Sequence, residues 1–295
     1  MNFKDLGKIP FGYNPNRDIF VDVYEVDRGS NSGCICPSCN LPLIANHGEV
    51  KDWYFSHNTR GSDKKAAKDC EFSFFVSVKN MVKQIFGEIT ATPITLPTYS
   101  KKVDALIAGI SGKSTDVIVV TEGRIVELND IKLDLTLPNS QVDIAGKVKG
   151  VDLYFCLTHP NNKKDLPIIE NIGHKAGLLV LDLTNTYQLL KQESNTSFKE
   201  RLKEYVLNSS DSKEWKYHPN EFRMVKKKEK ELEKLHWKRS DALIKKRKER
   251  AAETTLDTNS IFAGIGGDTK RVCGHCRNTF FGSYFGKNVC PQCSK

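Results

Sequence analysis

What the 295-residue sequence lacks narrows the field first. No run approaches the ~18 consecutive apolar residues that span a bilayer, so a transmembrane helix is not expected. Met1–Pro10 (MNFKDLGKIP) carries no apolar segment behind a charged start. A secretory signal is therefore not expected either, and the location read from the sequence is cytoplasmic. Acidic residues are in deficit, 36 Asp+Glu against 45 Lys+Arg, which leaves a formal charge of +9. Apolar content is lean, 39% beside 27% charged residues, so part of the chain is expected outside any packed core. An even cysteine count is missing too. Nine cysteines without an export signal argue against a disulfide framework and for thiolates, some of them metal ligands. No internal repeat is present beyond a pair of CxxC modules.

What is there is unevenly placed. Residues 221–250 hold 13 basic and six acidic side chains, a local excess that accounts for most of the chain's positive charge. Cys34, Cys36, Cys39 and Cys70 form an early group, and Cys273, Cys276, Cys290 and Cys293 a late one. Cys156 stands alone in the apolar run VDLYFCLTH and reads as an inert buried thiol.

These shifts suggest five segments. Residues 1–70 form a zinc-binding module, 71–195 an α/β core, 196–252 a helical basic region, 253–270 a Gly/Thr/Asp-rich linker, and 271–295 a second cysteine module. In the core, apolar residues at 74, 75, 78, 82, 85 and 86 make a helical stripe over Glu71–Phe86. Ile94–Leu96, Val103–Ile110, Asp116–Thr121 and Arg124–Leu128 read as strands, with Glu122-Gly123 as a two-residue hairpin turn between the last two. Ser140–Val148 reads as a helix, Val151–Leu157 as a buried strand, Ile168–Lys175 as a helix and Gly177–Leu183 as a strand. Helix, three strands, helix, strand is an α/β order with a mixed sheet. Helices are also expected over Ser197–Leu207 and Glu221–Ala252.

Cys273-x2-Cys276-x13-Cys290-x2-Cys293 is the sharpest motif. Each CxxC puts two thiolates on one side of a tight knuckle, and two knuckles complete the tetrahedral sulfur shell that zinc favours. Gly274 and Pro291 suit such turns, and RNTFFGSYFGKNV between the pairs alternates like a short hairpin. A core could hardly form in 25 residues without the metal, which typically supplies roughly 10–16 kcal/mol. Zinc ribbons of this kind hold nucleic acid or a protein partner. The early group is less regular: Cys36-x2-Cys39 makes one knuckle, and His57 with Cys70 closes a Cys3His set, C-x2-C-x17-H-x12-C. Cys34 and His47 compete for places in it.

Asp116 opens one strand of the expected hairpin and Glu127 ends the next, which would bring both carboxylates to one end of the paired strands. Two converging carboxylates are costly unless a cation lies between them, and with a backbone carbonyl they would suit Mg²⁺. Solvated strand-end charges are the plainer reading of the same spacing.

At this point the residues resemble a known family. CPSCNLPLIANHGEVKDWYFSH (36–57), then Cys70 and the Glu71-x7-Lys79 helix, is similar to the N-terminal region of competence protein CoiA-like proteins. Asp116, Glu127 and Asn129 (D-x10-E-x-N) resemble the PD-(D/E)XK nuclease core that those proteins carry, and GLLVLDL resembles its late strand. The likeness covers roughly residues 34–185. It implies a restriction-endonuclease-like core in which Asp116 and Glu127 hold Mg²⁺, the Leu128 carbonyl is a third ligand, and Asn129 or Lys132 positions water. Glu71 matches a helix glutamate that supports the same site. Asn129 stands at the family's Lys or Gln, so Lys132, Lys101 or Lys102 is the candidate for a displaced ammonium. Tyr54 replaces the first His of an HFAH-like motif, while Phe72 and Phe75 replace a Ser and a His of the helix.

The basic helix completes the reading. Phe222, Val225, Leu232, Leu235, Ala242 and Leu243 make a broken apolar stripe, and Glu/Lys pairs three and four apart would support a solvated helix. Its excess charge points to phosphate tracking, with Lys226, Lys227, Lys228, Lys245, Lys246 and Arg247 as the candidate contacts. Two functions follow. One is a metal-dependent nuclease, with nucleic acid (DNA ahead of RNA) gripped by two zinc modules and the basic helix. The other is a non-catalytic nucleic-acid-binding or adaptor protein on the same scaffold, with Asn129 marking lost chemistry.

Overall fold

Strand-forming runs between residues 91 and 217 assemble into one six-stranded mixed sheet. In the computed structural model the described residues are 8–48, 53–59, 70, 73–88, 90–106, 113–138, 140–160, 166–167, 175–191, 196–263, 269–273, 276–277 and 279–282. The chain divides into two units, residues 1–104 with 115–229 and residues 105–114 with 230–295.

The first unit begins with two small antiparallel ladders, β1 (Phe11–Asn14) with β2 (Ile19–Asp22), and β3 (Leu43–Asn46) with β4 (Tyr54–His57). Ile9, Val21, Val23, Leu43, Ala45 and Phe55 form their shared core. Helix α1 (Ser73–Gly87) follows, then β5 (Ala91–Leu96), β6 (Tyr99–Leu106), β7 (Lys113–Thr121), β8 (Arg124–Leu137), β9 (Ser140–Val148), β10 (Val151–Thr158) and β11 (Gly177–Asp182). Helices α2 (Thr186–Lys191) and α3 (Phe198–Asn208) and strand β12 (Lys213–Tyr217) lead into α4 (Glu221–Ala263). The sheet order is β12-β11-β10-β9-β8-β5, antiparallel throughout except for the parallel pair β10 and β11.

The main core lies between this sheet and the helices. Phe74, Phe75, Val78, Met81, Val82, Ile85 and Phe86 recur at three- and four-residue steps, so one face of α1 is apolar. It shares a core with Leu128, Ile144, Phe155, Leu157, Leu179 and Leu181 of the sheet and with Phe198, Leu202 and Val206 of α3. Each such side chain contributes roughly 1.5–3 kcal/mol on full burial. Ser197 and Glu200 cap α3 reciprocally. Buried Asp22 accepts a second amide of that turn, Lys199 N, at 2.7 Å, and Phe11 stacks on Phe198. The N-terminal ladders are thereby tied to the start of α3.

Three expectations change. Ser140–Val148 is a strand, not a helix. Val142 to Gly146 are buried without interruption, as expected of a strand covered on both faces, and such a run carries no alternation to betray it. Lys149 and Gly150, both at positive φ (50° and 81°), make the tight turn into β10. Second, Glu122-Gly123 does not close a hairpin. β7 pairs with β6, whereas β8 pairs with β5 and β9, so the chain passes from one sheet into another there. Gly123 N donates to Thr98 Oγ1, where the companion strand makes the same passage between β5 and β6.

Third, the expected linker is partly helical, because α4 runs on to Ala263. Residues 253–263 hold no Gly or Pro, and the first breaker is Gly264. The second unit also contains β13 (Thr269–Val272) paired with β14 (Thr279–Gly282). The expected helix over Ile168–Lys175 lies outside the described residues, apart from Lys175 in a turn. No described helix is long and apolar enough to cross a membrane.

Candidate functional site

Two clusters of ionisable side chains stand out in the first unit. The first is built on a CxxC knuckle. Asn40 N donates to Cys36 O at 2.9 Å and Cys36 N to Leu41 O at 2.8 Å, with Asn40 in the left-handed region at φ 60°. Ser38 N points at Cys36 Sγ. That tight turn brings Cys36 and Cys39 together, β4 supplies His57, and Cys70 completes the set. The four ligand atoms all lie within 4.8 Å of one another. Cys36 Sγ is 3.7 Å from Cys70 Sγ, and Cys39 Sγ is 3.3 Å from His57 Nε2. A tetrahedral zinc with Zn–S bonds of ~2.3 Å sets its sulfurs roughly 3.8 Å apart, so the spacing fits that ion.

Burial pushes the Cys36 thiol up to about 12, with backbone N–H donors pulling the other way and neighbouring Cys70 and Cys39 adding to the rise. Burial lowers the pKa of His57, which favours the neutral imidazole a metal requires. A Cys3His set can hold zinc; it is the kind of closed, structural arrangement that leaves no ligand position for chemistry.

Both competitors have other places. Cys34 is buried and directs its Sγ to Ser32 O at 3.4 Å. His47 contacts Val23 O through Nε2 at 3.0 Å and lies flat on Trp53, ring centroids 3.8 Å apart. Cys156 is buried in the sheet, on the face with Val142, Ala145 and Leu178.

The late cysteine motif repeats the first knuckle. Arg277 N donates to Cys273 O at 2.9 Å, and Arg277 sits at φ 60°, the counterparts of Asn40 and Cys36. Cys273 and Cys276 stand between the paired strands β13 and β14, so the first CxxC turns this hairpin. Cys290 and Cys293 lie outside the described residues, and so does Glu71.

The carboxylates singled out by spacing are not brought together by a shared ladder. Asp116 sits on β7, half exposed at 47%, and its Oδ2 meets Lys228 Nζ at 2.7 Å. That ammonium, with the Val117 amide, holds its carboxyl below the usual carboxylate range. Glu127 sits on β8, exposed and opposite Pro93, accepting from Asn129 Nδ2 at 3.2 Å. Because β7 and β8 belong to different sheets, the strand pairing that would converge Asp116 and Glu127 on Mg²⁺ is absent. Lys132 is exposed at the irregularity where β8 shifts register against β9. Lys101 is engaged by Glu221 at 2.7 Å, and Lys102 is exposed.

Sequence reasoning passed over the second cluster. Asp143, on β9, is buried to 2% of its side chain and accepts from Leu157 N at 2.8 Å through Oδ2. Its Oδ1 meets Lys79 Nζ at 2.7 Å and Lys83 Nζ at 3.8 Å, and Lys83 also pairs with Asp134. His159 follows β10, next to the Thr158–Asp182 pair that ends β10 and β11. Its ring lies parallel to Phe75, and its Nδ1 finds no hydrogen-bond partner among the described residues. Burial first and then Lys79 lower its pKa, against Asp143 and Asp182. The available signal was an aspartate in an apolar strand with two lysines one turn apart on the preceding helix.

Of the basic-helix candidates, Lys228 is bound to Asp116 and Lys226 lies 3.4 Å from Glu229. Lys227, Lys245, Lys246 and Arg247 are exposed. No family model, no curated protein and no solved structure matches this chain.

Proposed function

We propose that this chain is a zinc-containing nucleic-acid-binding protein on a nuclease-like α/β core, with DNA ahead of RNA as its ligand. The observation that carries this reading is the concentration of 13 basic residues over 221–250 in one helix whose Lys and Arg side chains are mostly exposed. A polyanion is the partner such a surface recruits. Zinc at Cys36, Cys39, His57 and Cys70 has a structural role, holding the N-terminal ladders in shape. A second zinc belongs to the Cys273/Cys276 knuckle with Cys290 and Cys293, a ribbon suited to a nucleic acid or protein contact. The direct test is fluorescence anisotropy of labelled single- and double-stranded DNA and RNA at several salt concentrations. Binding that tightens as salt falls is expected; no binding at low salt sinks the proposal.

A second reading, metal-dependent phosphodiester cleavage, is favoured by one observation. Helix α1 is followed by strands of one mixed sheet in which β11 runs parallel to β10, in keeping with the mixed α/β sheet expected from the sequence, and buried Asp143 lies within that sheet. Asp116 and Glu127 lie on strands that do not pair, and no step is assigned to a shared Mg²⁺. Incubating zinc-loaded protein with DNA and RNA in Mg²⁺ or Mn²⁺ decides the matter. Cutting lost in Asp143→Asn but kept in Asp116→Ala and Glu127→Ala supports the Asp143 cluster. The reverse pattern restores the pair suggested by spacing. No cutting by a folded sample leaves binding as the function.

A further inference from the structure

The basic residues of α4 are not equivalent. Within the second unit's part of the helix, Lys230, Lys234, Lys238, Lys245 and Lys248 follow one another at three- and four-residue steps, with Asp241 filling the remaining place. At 3.6 residues per turn these six positions share a sector of about 80° and extend over ~27 Å. All six are exposed. None of the positions in the sector is apolar between Lys230 and Lys248. Buried Leu232, at 6%, lies on the opposite side, and Leu243 shares that side with Arg239 and Arg250. Glu231 and Glu249 border one margin of the sector, while Trp237, 54% exposed, borders the other.

We infer that this lysine strip is the surface that tracks the sugar-phosphate backbone of a bound nucleic acid. The inference rests on the nucleic-acid reading above and narrows it to one face of one helix. Charge complementarity names the occupant: along the axis the ammonium groups follow one another at steps of about 4.5–6 Å, with one of about 10.5 Å across Asp241. A line of point charges at that spacing suits a regular polyanion better than a single acidic site. Lysine, a compact donor without a planar fork, contacts phosphates without reading bases, so binding is expected to be indifferent to sequence. Trp237 at the margin offers a ring face to a base, as in sites that combine a charged track with stacking. Asp241 opposes the strip from within and limits its affinity.

The test compares two triple variants of the full, zinc-loaded chain that remove the same charge. Lys234→Gln, Lys238→Gln and Lys245→Gln remove three of the five strip lysines; Arg239→Gln, Lys246→Gln and Arg247→Gln lie outside the strip, which excludes Lys246 and Arg247 from the contacts expected from sequence. Glutamine keeps helix propensity, which circular dichroism checks. The first triple is expected to weaken binding of a DNA duplex at least about 10-fold at low salt. It should also flatten the log K against log salt slope by roughly 2–3, near 0.9 per phosphate contact. The second triple should weaken binding less than about 3-fold and change the slope by less than about 1. Equal losses from the two would show that net charge alone matters and overturn the strip. Asp241→Asn gives an independent check without removing a lysine: it should tighten binding about 2–3-fold, and unchanged or weaker binding counts against the strip. Wild-type protein that binds anionic lipid vesicles but neither DNA nor RNA would overturn both the strip and the function it rests on. A wild type that binds DNA with both triples unaffected overturns the strip alone.

Discussion

The two clusters of the first unit, Cys36–Cys39–His57–Cys70 and Lys79–Lys83–Asp134–Asp143, meet the same electrostatic problem in opposite ways. Each takes an acidic group out of water, Cys36 in one and Asp143 in the other, which is unfavourable for the charged form. The core cluster carries its own cations: two lysines from one face of α1 reach the single buried carboxylate, and an amide of β10 takes its other oxygen. The thiol cluster gathers three thiols and an imidazole and contains no cation of its own. A group of donors that converge without a counter-charge calls for an ion from outside; a group that is already balanced does not. By the same criterion Asp116, held by Lys228 at 2.7 Å, has no need of a metal.

Disrupting the thiol cluster should have the largest effect. Cys39→Ser should remove one zinc per chain, and a strong chelator both, and either should unfold the N-terminal ladders, since zinc binding of this kind is worth on the order of 10 kcal/mol. Metal analysis with near-ultraviolet circular dichroism reads both changes, and a variant that keeps its metal and its spectrum refutes the assignment. Next comes Asp143→Ala, which strands the Lys79 ammonium while Lys83 keeps Asp134, and should cost roughly 3–5 kcal/mol in urea unfolding. The double variant Lys79→Met, Asp143→Leu should recover most of that loss. If it does not, the cluster does more than balance itself.

A smaller effect is expected at Asp22. Burial raises its pKa from 3.8 to about 6, against the amides of Lys199 and Tyr24 that it accepts. Between those values the fold binds a proton that the unfolded chain has released. Stability from this group is therefore present at low pH and falls as pH rises through the window, by up to about 3 kcal/mol at 1.36 kcal/mol per unit. His218, buried and lowered to about 4 by desolvation and Arg124, slopes the other way: it favours the fold at neutral pH and loses that as pH falls below its ordinary value. Asp22→Asn should consequently leave a protein whose unfolding free energy climbs more steeply from pH 4 to 6. An unchanged profile argues against the raised pKa. Smallest of all is Asp116→Ala, whose exposed ion pair with Lys228 should leave the melting temperature where it was.

The Cys3His set was legible in the sequence because a CxxC turn fixes the geometry of its first two members, Cys36 and Cys39, within five residues. The hydrogen bond from Asn40 N to Cys36 O needs nothing from the rest of the fold. A carboxylate pair eleven residues apart depends instead on which strands pair. The Glu122-Gly123 signal was read as a hairpin where the chain in fact leaves one sheet for another. The helix of residues 73–87 follows its apolar stripe, and β5, β7, β10 and β11 fall where strands were expected, whereas β8 runs on to Leu137 and β12 (Lys213–Tyr217) carried no expectation. β9 escaped because a strand buried on both faces has no period of two, and its Asp143 escaped with it. The lysine partners of Asp143 are 60 and 64 residues earlier, a distance over which no local pattern carries.

Asp22 also bears on the order in which the protein is made. Its carboxylate accepts from Lys199 in the first turn of a helix, 177 residues further along the chain. During synthesis from the N-terminus, the cap and the ladders around it, with the Cys/His cluster that could hold a metal, exist long before α3 has emerged. Holding them ready keeps a docking point in place for the helix, so metal acquired early would shorten the search that closes so long a loop.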